Sequence, residues 1–129
     1  RGEDPTIFYA PAESDFTRAL ELAPGLRRAW SGRGLLRTNA ANFVRATGAD
    51  PTPGYLAAES DYTRAIELAP DYAEASFGRG HLRLLWGNHR RDHGADPTEQ
   101  YERARQDLDR AATLGPQNAL AWMALVKPV

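Results

Sequence analysis

A unit of 46 residues is written twice in this chain and begun a third time. Gly2–Thr47 aligns without a gap on Gly48–His93, with 24 of 46 positions identical, and Gly94–Val129 keeps the frame, with 14 of 36 positions identical to Gly48–Arg83. A fixed period between about 20 and 50 residues marks a solenoid or array, because so short a unit cannot bury a core alone and must stack on its neighbours. The 129 residues therefore read as one array with copies at 2–47, 48–93 and 94–129, the last of them partial.

Each copy opens on the same five-residue signal: Gly2-Glu3-Asp4-Pro5-Thr6, Gly48-Ala49-Asp50-Pro51-Thr52 and Gly94-Ala95-Asp96-Pro97-Thr98. Glycine permits the left-handed residue that ends a helix. Aspartate caps the next helix, and proline at its first position loses no needed N–H. A helix of about 18 residues is expected to follow, with an apolar stripe at Tyr55, Ala58, Tyr62, Ala65, Ile66 and Ala69. Its counterparts are Tyr9, Ala12, Phe16, Ala19, Leu20 and Ala23, then Tyr101, Ala104, Leu108, Ala111 and Ala112, with Pro24, Pro70 and Pro116 as stops. A second helix is expected from about Leu26 to Thr47 and from about Tyr72 to His93. Gly32 and Gly34 recur there as Gly78 and Gly80. Each glycine costs a helix about 1 kcal/mol relative to alanine, so close contact with the partner helix is the expected reason for it.

This layout resembles the tetratricopeptide repeat, an antiparallel helix pair per unit. Ala58, Tyr62, Ala65 and Pro70 fit the family's second-helix pattern, as do Ala12, Phe16, Ala19 and Pro24. Ala104, Leu108, Ala111 and Pro116 fit with one aliphatic replacement. Trp30 and Trp122 stand at the early tryptophan position, where Ser76 departs, and Gly34 and Gly80 stand at the glycine position. Arg33, Arg37, Arg79 and Arg83 replace the Leu and Tyr that the family favours around that glycine. The resemblance implies an all-α fold, a right-handed α-solenoid of antiparallel helix pairs forming a superhelix. The family unit is about 34 residues, twelve shorter than this one. The surplus falls at the tip before each Gly-x-Asp-Pro turn. Read as helix, it makes every hairpin taller by roughly 9 Å at 1.5 Å per residue; a long disordered loop is the alternative. In this phase the helix types alternate from second to first, ending in a first-type helix at Asn118–Val126. Both ends are then unpaired, so a fragment of a longer array or end-to-end association is expected, and the opening on Arg1 rather than Met fits the former.

Composition narrows the function. A hydrophobic fraction of 42% and a charged fraction of 26% suit a folded chain. No apolar run approaches the ~20 residues that span a bilayer, so no membrane partner is expected. Net charge is −1, with acids mixed among fifteen Arg and one Lys. A nucleic-acid partner needs a basic stripe, and none is written here. The absence of cysteine removes disulfides, thiolate metal sites and Cys nucleophiles, and is compatible with the cytoplasm. No catalytic triad order, phosphate loop or nucleotide fingerprint occurs, so neither an enzyme site nor a cofactor is expected.

Two polar clusters remain. His89 and His93 share a helix face beside Asp92 and Asp96, a metal-like spacing, but the first copy has Phe43 and Thr47 in place of the two histidines. An exposed polar helix tip is the simpler reading. Asp15, Asp61 and Asp107 recur in all copies, as do Arg18, Arg64 and Arg110, the first two arginines three residues after an aspartate. With Arg33, Arg37, Arg79 and Arg83 they suggest an inter-helix ion-pair lattice; anion recognition by the arginine rows is the alternative.

In the family, the first helices line a concave groove that binds peptides or helices. Counting from the glycine position, the resemblance places Ser31, Leu35, Thr38, Phe77, His81, Leu84 and Met123 on that groove. Members that clamp a peptide carboxylate use Lys, Asn and Arg at the equivalents of Ser31, Leu35, Phe77 and His81. Here the groove is aliphatic and aromatic, which favours an apolar or amphipathic helix. The expected function is a non-catalytic protein–protein interaction scaffold. Self-assembly through the unpaired ends, or regulatory repeats of a larger signalling enzyme, are the alternatives.

Overall fold

The structure, a computed structural model, describes residues 9–115. Among the described residues there are five helices and no strand: α1 (Tyr9–Leu22), α2 (Arg27–Ala46), α3 (Thr52–Leu68), α4 (Ala73–Asp92) and α5 (Thr98–Leu114). Both long first-type helices end within one residue of expectation. The helix expected at Asn118–Val126, with Pro116, Trp122 and Met123, lies outside the described residues.

The described bends fall at the pentapeptides 48–52 and 94–98, and the one at 2–6 lies outside the described residues. Gly48 and Gly94 take φ of +91° and +77°, the left-handed values that glycine alone adopts without strain. Ala49 N–H donates to Val44 C=O and Gly48 N–H to Arg45 C=O, and the same pair recurs from Ala95 to Arg90 and Gly94 to Arg91. This is the Schellman closure, which satisfies the last carbonyls of α2 and α4. The start of the next helix lies one residue later than expected. Thr52 and Thr98, not the prolines, are the first helical residues. The cap positions thus fall to Pro51 and Pro97, and the aspartates stand one residue earlier in Asx turns: Asp50 Oδ1 accepts from Thr52 N–H at 3.0 Å, and Asp96 Oδ1 from Thr98 N–H at 2.9 Å and Thr98 Oγ1 at 2.7 Å. The Thr52 N–H holds the Asp50 carboxyl below its ordinary range, and the Thr98 hydroxyl does the same for Asp96.

The surplus residues of each unit are helix rather than loop, since α2 and α4 each run 20 residues. They pack too closely for a loose extension. A Cβ at Gly54 would meet Ala41 Cβ at 2.8 Å, and one at Gly87 would meet Tyr101 at 2.6 Å. One period separates Ala41 from Gly87 and Gly54 from Gln100, so the glycine moves from one helix to the other and a close approach survives. Tyr55 Oη donates to Asn42 Oδ1 at 2.9 Å, and Tyr101 Oη to Asn88 Oδ1 at 2.6 Å, tying each tall hairpin near its tip.

The helices α2 and α3 pack along each other, as do α4 and α5. Joined by short turns, they run antiparallel. Contacts of α1 with α2, of α3 with α4 and of α2 with α4 complete the packing. Tyr55, Ala58, Tyr62 and Ala65 of the expected stripe are buried, and Ile66 is half-buried. Tyr55 and Tyr62 join Ala41, Leu82 and Trp86 in one cluster across α2, α3 and α4, with the Tyr55 and Trp86 rings 5.9 Å apart. The paired glycines do what close packing requires. Tyr62 lies between Gly34 and Gly78, where added Cβ atoms would stand 3.0 Å and 2.3 Å from its ring. Phe16 covers Gly32 and Leu108 covers Gly80.

Candidate functional site

Two features meet at the first-type helices: a buried ionic network on one side and an open cleft on the other. The network is the same in both complete units. Arg33 is bidentate on Asp61, through Nε to Oδ2 at 3.0 Å and Nη2 to Oδ1 at 2.9 Å, and its Nη1 donates to Thr17 Oγ1 at 3.0 Å. Arg37 Nη1 donates to Asp61 Oδ2 at 3.0 Å, and the rest of that guanidinium closes on Glu13. One period later Arg79 is bidentate on Asp107 and donates to Thr63, while Arg83 donates to Asp107 at 2.8 Å and to Glu59 at 2.9 Å. Each network therefore spans three successive helices.

Every one of these charges is answered. Asp61 and Asp107 are 1% and 6% exposed, and each receives two guanidinium groups. With Glu13 or Glu59 added, two cations face two anions and the cluster is neutral. Burying carboxylates this deeply is tolerable only with such pairing. The hydrogen bond from Arg37 pulls the Glu13 carboxyl below its ordinary range, and Glu13 raises that of Arg37. The ion-pair lattice is thus present, and Arg33, Arg37, Arg79 and Arg83 spend their donors inside it. The flanking arginines behave otherwise: Arg64 pairs with Glu67 at 3.2 Å rather than with Asp61, because Asp61 points inward to α2 and Arg64 outward to solvent.

The cleft lies between α2 and α4 over α3, with a volume of about 560 Å³. Ser31 and Leu35 of α2, with Phe77 and His81 of α4, line it, and Tyr62 and the glycines Gly32 and Gly78 form its floor. Leu35 is 51% exposed. Phe77 stacks on His81 with centroids 5.9 Å apart. Burial pushes the His81 imidazole below its ordinary value, so it stays neutral at neutral pH and the middle of the cleft carries no charge. Arg28 and Glu74 place one charge of each sign at the rim.

Thr38 and Leu84 do not line this cleft. Thr38 is 1% exposed and donates to Gly34 C=O at 2.8 Å. Four residues beyond Gly34, it shares that glycine's inward face, and its hydroxyl also lies against the phenol of Tyr62. Leu84, one period later, is half-buried and does not line the cleft. Met123 lies outside the described residues. The cleft residues that sequence reasoning missed include Tyr62, with its phenol under the cleft, Tyr72, whose ring receives Arg27 at 5.3 Å, and the rim pair Arg28 and Glu74.

At the tip of α4, the His89 and His93 rings meet at a tilt of 44° with centroids 4.3 Å apart, and His93 Nδ1 lies 3.0 Å from His89 C=O. Asp92 is taken by Arg45 and Arg91. Among the described residues no group of three His, Asp or Glu side chains converges as metal ligands would. No helix among them is long and apolar enough to cross a membrane. Comparison with protein-family models and with curated proteins finds no match for this chain.

Proposed function

We propose that this chain is a non-catalytic protein–protein interaction scaffold, a right-handed α-solenoid of tall tetratricopeptide-like hairpins whose α2–α4 cleft receives an amphipathic helix or peptide. The observation that carries the reading is the cleft itself, uncharged along its middle at Leu35, Tyr62, Phe77 and His81 and bordered by Arg28 and Glu74. Helix-in-groove recognition uses apolar anchors against such a surface, with the rim charges setting direction. Contact of α2 with α4, two helices of the same type from successive units, supports the solenoid. The glycine-backed floor supports a rigid groove, since it is part of the packed core. Leu35 tests the proposal, because at 51% exposed it can be replaced without disturbing that core. A photo-crosslinking residue at Leu35 is expected to trap a protein partner in cells, and one at Leu22, which is 73% exposed and lies on α1 away from the cleft, is not. Equal yields from the two positions, or none from Leu35, would count against the cleft.

A further inference from the structure

Asp15 is the exception in the ionic network. Its counterparts Asp61 and Asp107 are buried under two arginines each, yet Asp15 is exposed and has no ion pair among the described residues. The other positions of that α1 face follow suit. Tyr55, Ala58, Tyr62 and Ala65 are buried on α3, while Tyr9, Ala12, Phe16 and Ala19 are each only half-buried. The opposite side of α1 is engaged, with Glu13 and Thr17 meeting α2 as Glu59 and Thr63 meet α4.

We infer that this α1 face is a docking surface for one further copy of the repeat unit, which binds by a helix carrying Gly-Arg-Gly-x-x-Arg. The chemistry is set by what the other two aspartates receive. Gly32-Arg33-Gly34-x-x-Arg37 and Gly78-Arg79-Gly80-x-x-Arg83 each place two guanidinium groups on one aspartate, and the second glycine admits the ring or Leu beside it. Arginines four apart project from one side of a helix, and the intervening glycine lets it approach as closely as Phe16 requires. Both such helices in the sequence are already committed to Asp61 and Asp107. One period beyond Arg79 and Arg83 stand Leu125 and Val129, so the third copy repeats neither arginine. A second molecule presenting its third copy to α1 would set Leu and Val against the carboxylate, leaving that charge without a partner. Charge complementarity thus selects an arginine-bearing unit rather than end-to-end stacking of identical chains.

The test joins a third full unit, with the sequence of residues 48–93, in register ahead of Gly2, and compares Asp15→Asn in the extended and the 129-residue chains. The substitution is expected to lower Tm by about 8–14 °C in the extended chain, where it breaks a buried pair. In the 129-residue chain a shift within about 2 °C is expected, as for an exposed site. Changing both arginines of the added unit to Gln should reproduce the loss, and Leu35→Glu in the cleft should leave the difference between the two chains intact. Equal effects of Asp15→Asn in the two chains overturn the inference, as does an extended chain that melts below the original. Light scattering showing Asp15-dependent dimers of the 129-residue chain would also overturn it, by making a second copy the occupant.

Discussion

Gly78→Ala is expected to destabilise this protein although it improves the helix. In a helix interior alanine is favoured over glycine by about 1 kcal/mol. Against that gain, the new methyl would stand 2.3 Å from Tyr62 Cε1, 2.5 Å from Cζ and 2.8 Å from Oη. The ring cannot retreat. It is 2% exposed, and on its other side a Cβ at Gly34 would already be only 3.0 Å away. Overpacking a closed core costs about 1–3 kcal/mol, and an overlap with three atoms of a wedged ring belongs at the top of that range. The net loss is then about 2 kcal/mol, measurable as a drop in the urea midpoint at unchanged slope. The decisive comparison is the same substitution in a Tyr62→Leu background. Leucine stands at the equivalent position of α5 as Leu108, and it removes every ring atom that the new methyl would strike. There Gly78→Ala should stabilise by about 1 kcal/mol, the bare propensity term. A stabilised single variant, or an equal loss in both backgrounds, would refute the wedge as the reason for this glycine.

Two further outcomes follow from the ionic network. Asp61→Asn should cost about 3–5 kcal/mol in chemical denaturation, because it strips two buried guanidinium groups of their shared anion. Exposed Arg64→Gln should fall within about 0.5 kcal/mol. Acid should weaken the fold through Glu13, whose folded pKa lies below its unfolded value near 4.5. Its contribution is complete above that value and is lost as pH falls through the lower folded one. The urea midpoint of Glu13→Gln should therefore fall less steeply below pH about 4.5 than that of the parent, and identical slopes would remove Glu13 from the network.

Much of this architecture was legible because the repeat reads the same signal several times. One Gly-x-Asp-Pro is a weak bend, but the recurrence of Gly48 at Gly94 fixed where α2 and α4 must close. The helical stripe through Tyr55, Ala58, Tyr62 and Ala65 likewise identified the buried face of α3. Partners across helices were harder, since spacing along one helix does not say which way a long side chain turns. The sequence neighbours suggested Asp61 with Arg64, whereas inter-helix packing gives Asp61 to Arg33 and Arg37. The Asn42–Tyr55 and Asn88–Tyr101 bonds left a trace that was open to reading: Asn42 recurs unchanged at Asn88 within a tip segment where most positions differ. Counting from Gly34 could not tell Thr38 from a cleft residue, since four residues is about one helical turn and returns to the glycine's own buried face.

Tyr62 also bears on how the molecule comes apart. Arrays of stacked units can fray one unit at a time when the contact between units is weaker than the units themselves. Here a single phenol ring fills the notch of a helix in its own unit and of a helix in the preceding one, so neither can open without emptying the other's notch. Amide exchange in α2 and α4 should consequently proceed through a shared opening event with one protection level. At α5 Leu108 occupies the ring's place, and exchange there should be released earlier.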